Sequence, residues 1–154
     1  MAKVDDQWWA AIIHQFKTHV REEASFLEAY EQLVHEANEP SVRFLIGAVL
    51  DDERRHHALF EAMADAALGA GDPDVVPAAP QLSVETANRL LDPTEHFLAA
   101  EIEDRERLGQ LRRQLKPVRD DTLWPLLVEL MEIDTGKHIR ILEYLRDRLR
   151  DAAR

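Results

Sequence analysis

The sequence predicts an all-α protein, a four-helix bundle made of two antiparallel hairpins joined by a long crossover. Three observations predict it. Apolar side chains recur in steps of three and four along four long segments, the rhythm of a helix with one buried stripe. Those segments are nearly free of glycine and proline, which concentrate between residues 69 and 80. Short polar breaks at 38–40 and 117–121 then divide the segments into pairs, and a short break makes each pair antiparallel.

The first helix is expected over about 7–37, where Trp9, Ile13, Phe16, Val20, Glu23, Leu27, Tyr30, Val34 and Ala37 keep the rhythm. Asn38-Glu39-Pro40 ends it. The second is expected over about 41–68, with Val42, Ile46, Val49, Glu53, His56, Phe60, Met63 and Ala67 on its stripe. A linker over about 69–92 follows, with Gly69, Gly71, Pro73, Pro77 and Pro80 and room for a short helix near 83–91. Asp92-Pro93 reads as an N-cap followed by a first-turn proline. The third helix therefore runs to about residue 116, with Phe97, Glu101, Asp104, Leu108, Leu111 and Leu115 in line. The fourth runs to about residue 151, with Trp124, Val128, Met131, Thr135, His138, Leu142, Leu145 and Leu149 in line. Pro125 is tolerated because it falls in the first turn.

Composition narrows the function. With 45% hydrophobic and 32% charged residues, the 154-residue chain is globular and long enough for one substantial core. A formal net charge of −11 argues against nucleic acid as a partner, since the phosphate backbone needs clustered Lys and Arg. The absence of cysteine excludes disulfides, thiolate metal sites, iron–sulfur clusters and cysteine nucleophiles. No apolar run is long enough for a membrane span, and the first nine residues lack the apolar core of a signal peptide. A cytoplasmic location is the expectation.

Each stripe turns polar near its middle: Glu23, then Glu53 and His56, then Glu101, then Thr135 and His138. A buried carboxylate is costly unless it is paired or binds a metal. Four stripes broken at mid-length point to one shared cause. Depth supports this. In an antiparallel hairpin, residues equidistant from the turn lie at one level. Glu23 is level with Glu53 and His56 about the break at 38–40, and Glu101 with Thr135 and His138 about the break at 117–121. Glu53 and His56, three residues apart, project from one helix face, where a carboxylate and an imidazole can share one ion.

These residues resemble the ferritin-like superfamily, near bacterioferritin and rubrerythrin. That pattern takes one glutamate from each of two helices and a Glu-x-x-His from each of the other two. The segment Glu23-Ala-Ser-Phe-Leu-Glu-Ala-Tyr30 resembles the first ligand helix. Asp52-Glu53-Arg54-Arg55-His56 resembles the first Glu-x-x-His, and Asp134-Thr135-Gly136-Lys137-His138-Ile139 the second. The resemblance implies a metal site of Glu23, Glu53, His56, Glu101 and His138, iron or manganese as cofactor, and redox chemistry with dioxygen or peroxide. It departs at Thr135, where the second motif needs its glutamate. A single ion, an asymmetric pair and an empty site all follow from that loss, and Asp104 is the candidate to replace the missing charge. An inward Arg105 would instead substitute for an ion.

The alternative is a non-catalytic helical bundle with a decayed site, serving as a structural or partner-binding protein. Trp8, Trp9 and Trp124 read as packing or interface anchors, and a homodimer is the expected assembly. Gly136, inside a helix beside His138, points to close packing or a local helix distortion.

Overall fold

The computed structural model describes residues 6–69 and 82–154, apart from the side chains of Asp6 and Glu23. Its helices are α1 (Asp6–Glu36), α2 (Pro40–Ala67), α3 (Val84–Gln114) and α4 (Trp124–Ala152). Among the described residues there is no strand, and no helix is long and apolar enough to cross a membrane. The chain divides into two compact units, 1–79 and 80–154, each a single helical hairpin.

In the first hairpin the turn is held from both sides. Glu39 caps α2, its Oε2 accepting from the Val42 N–H at 2.7 Å, and Pro40 occupies the first turn. Arg43 donates through Nε and Nη2 to the Ala37 carbonyl at 3.2 and 2.8 Å, satisfying a backbone acceptor at the end of α1. Above the turn, Arg54 pairs with Glu31 at 2.7 Å, and higher still the Phe16 and Phe60 rings lie 5.9 Å apart. Leu50 and Ala64 are the buried positions of α2. Gly69 follows α2 with φ 72°, the left-handed conformation glycine adopts without strain at a helix end.

The second hairpin corrects one expectation. Residues 84–92 belong to α3 rather than to the linker, and Asp92-Pro93 does not start a helix. Ser83 is the cap, its hydroxyl accepting from the Thr86 N–H at 3.1 Å. Pro93 lacks an N–H and crowds the carbonyl four residues earlier, which costs about 3 kcal/mol in a helix interior. Burial of Ala87, Thr94 and Leu98 on the flanking turns offsets that cost and carries the helix through. The remainder of the expected linker, 70–81, lies outside the described residues.

A short 3-10 turn over Lys116–Val118 leads toward α4. Pro125, Val128, Thr135, Ile139 and Leu149 of α4 are buried in this hairpin. Cross-helix pairs climb it like rungs: Arg112–Glu132 at 2.9 Å near the turn, Glu101–His138 at 3.5 Å, and Arg150–Glu95 at 2.6 Å near the open end. At Gly109 a Cβ would sit 3.4 Å from Glu132 Oε1, at the near edge of ordinary contact.

Candidate metal centre

Each hairpin brings one carboxylate to one imidazole. In α2, His56 Nδ1 lies 3.9 Å from Glu53 Oε2, the pair expected from the three-residue spacing. In the second hairpin, His138 Nδ1 lies 3.5 Å from Glu101 Oε2, across two helices. The two glutamates are similarly shielded, at 32% and 31% side-chain exposure, and the two histidines similarly open, at 52% and 51%. Two ligand atoms each about 2.1 Å from one ion, at a tetrahedral or octahedral angle, stand about 3.0–3.4 Å apart. The Glu101–His138 pair, at 3.5 Å, lies near that separation, and the Glu53–His56 pair, at 3.9 Å, would have to close by about half an ångström.

Among the described residues, no three of His, Asp and Glu come together as one metal-holding group. The structure gives pairs. Glu23 sits in α1 by its backbone, and its side chain lies outside the described residues.

The faces carrying the pairs are apolar and open. Phe97 and Leu111 of α3 and Trp124 and Met131 of α4 are exposed on the edge of the stripe that holds Glu101 and His138. In α2, Val42, Val49 and Met63 are exposed on the edge that holds His56. Large apolar side chains beside a half-exposed carboxylate make a surface whose covering would exclude water from the pair.

Thr135 has a different environment. It is only 5% exposed, and its hydroxyl donates to the Met131 carbonyl at 2.9 Å, one turn back on its own helix. It fills the α3–α4 seam, while His138 stands on the open edge of the same stripe. Asp104 is exposed, with no ion pair or hydrogen bond among the described residues. Arg105 is exposed and lines a hollow with Arg112, Glu129, Glu132, Ile133 and Gly136, whose lining includes neither Glu101 nor His138. Asp134 pairs with Lys137 at 2.6 Å. Gly136 does not mark close packing, because a Cβ there would meet nothing within 4 Å, and α4 continues through it undistorted.

Two imidazoles that the spacing left aside lie closer to the first hairpin's interior than His56 does. His57 is only 18% exposed and sits 3.5 Å from Glu61, and the His19 ring lies 4.1 Å from that of Phe60. The signal for His57 was its place one residue past the stripe, on the side toward buried Leu50 and Ala64. Also missed was a basic stretch, 105–119, which the acidic total conceals. No protein-family model, no curated protein and no solved structure matches the chain.

Proposed function

We propose that the chain is a metal-binding, ferritin-like four-helix protein in which Glu23, Glu53, His56, Glu101 and His138 hold one iron or manganese ion. The observation that carries this reading is the recurrence of a carboxylate–imidazole pair on each hairpin, at nearly the same exposure and on an apolar face. Five donors suffice for one five- or six-coordinate ion of the carboxylate- and imidazole-binding class. A second ion would need the carboxylate that Thr135 replaces.

When bound, such an ion supplies one-electron chemistry toward dioxygen or peroxide. The chain's own contribution is to place donors on the helices of each hairpin, beside apolar side chains whose covering would exclude bulk water. The open apolar faces also support a homodimer as the assembly, which a light-scattering mass checks.

The experiment is metal analysis of protein purified without chelator, beside a Glu53→Ala, His56→Ala variant. About one iron or manganese per chain, lost in the variant, supports the reading. Absence of metal after anaerobic loading ends it. The second reading, a structural or partner-binding bundle with a decayed site, is favoured by Thr135, whose hydroxyl is already satisfied in the α3–α4 seam.

A further inference from the structure

A hollow of about 620 Å³ opens at the turn end of the second hairpin, and its charged lining is almost wholly cationic. Arg112, Arg113, Lys116 and Arg119 line it, against the single carboxylate of Glu129. Arg112 already pairs with Glu132. The side chains of Arg113, Lys116 and Arg119 have no ion pair or hydrogen bond among the described residues.

This is an unusual place in a chain of net charge −11. Residues 105–119 carry six Arg and Lys against one acid, Glu106. Arg112 and Arg113 have a structural reason to be there, since they lie in the last turn of α3, where cations offset the helix dipole. Lys116 directly follows the C-cap of α3 and shares that reason in part, whereas Arg119 lies past the 3-10 turn. Like charges crowded around a hollow repel, and an anion in it converts the repulsion to attraction. The first turn of α4 has the same sign. It has no acidic residue, and its N-cap, Leu123, offers no side-chain acceptor.

We propose that this hollow binds a small-molecule anion of the phosphate class carrying two or more charges, such as a pyrophosphate group. Planar guanidinium groups suit paired phosphate oxygens, and Lys116 adds a point charge. The basic lining ends at the rim, with Asp120 and Asp121 following directly in the chain. That favours a compact anion over an extended nucleic-acid backbone.

The test is calorimetric titration with pyrophosphate at about 0.15 M salt, where loose surface attraction is screened. One pyrophosphate per chain is expected. Its affinity should fall by about 10-fold or more in an Arg113→Gln, Lys116→Gln, Arg119→Gln variant. Lys116→Glu, a single change at an exposed turn, should weaken it in the same direction. Arg107→Gln should leave it unchanged, since Arg107 pairs with Glu103 outside the hollow. No binding at millimolar pyrophosphate, or equal loss in the Arg107 variant, would overturn the assignment. So would binding to vesicles bearing phosphatidate without binding to free pyrophosphate.

Discussion

His138 Nδ1 stands 3.5 Å from Glu101 Oε2 across the α3–α4 hairpin, at the depth that equal distance from the turn requires. The pair joins two helices, so its geometry depends on the packing of the whole hairpin and not on one helix's periodicity. Its partners in the sequence, Glu53 and His56, need only a single helix.

That difference leads to a first prediction. Glu53→Gln and Glu101→Gln keep side-chain shape and remove one ligand charge from each hairpin. If both glutamates serve one ion, either substitution alone lowers affinity for Mn(II) by about 10-fold or more, since even outer-shell changes cost 10–100-fold. Two independent half-sites would give partial losses that differ between variants. Equilibrium dialysis distinguishes the outcomes.

Thr135→Glu would write the missing ligand back into the sequence. The structure predicts a destabilised protein, because the position is buried in the seam and a carboxylate there loses its hydration. We expect a loss of more than about 2 kcal/mol in urea unfolding. Thr135→Val should cost less than about 1.5 kcal/mol, since the hydroxyl's acceptor is a helical carbonyl. A Thr135→Glu protein as stable as the parent would show that this side chain reaches the open face.

Gly136→Ala should stabilise α4 by about 0.5–1 kcal/mol, the usual helix-interior gain over glycine, because a Cβ meets nothing within 4 Å. A loss of stability in urea unfolding would indicate a partner surface against that position.

Glu39 gives a pH dependence. The hydrogen bond from the Val42 N–H, and then that from Ser41, hold its carboxyl below its ordinary value. Its contribution is therefore present above the unfolded-state value and disappears as pH falls through the lowered folded-state value. Glu39→Ala should melt below the parent at neutral pH. The gap should narrow as pH drops through and below the carboxylate range. A gap independent of pH would mean that the cap acts through something other than the ionised carboxylate.

The sequence reading succeeded where a local signal stood alone. Pro125 falls in the first turn of α4, as expected, and the expected break at 38–40 separates α1 from α2, with Pro40 itself the first residue of α2. It failed at Asp92-Pro93, where a cap-like dipeptide lies inside α3 and burial of its neighbours overrides the local preference. For the site, depth along the helix was readable but direction around it was only partly so. A three-and-four stripe is wide enough to include both the seam and the open edge beside it. Thr135 and His138 share the stripe, yet one is buried in the α3–α4 seam and the other stands half exposed at the seam's edge, where it reaches Glu101. His57 was missed for the same reason, one step past the opposite edge.

The proposed function rests on a single ion held by Glu23, Glu53, His56, Glu101 and His138. Its most direct test is an anaerobic titration with Mn(II), following the spin-resonance signal of the free ion. The free-ion signal is expected to stay low until one equivalent per chain has been added, and His138→Ala to remove this delay. A signal rising in proportion from the first addition, identical in parent and variant, would contradict it.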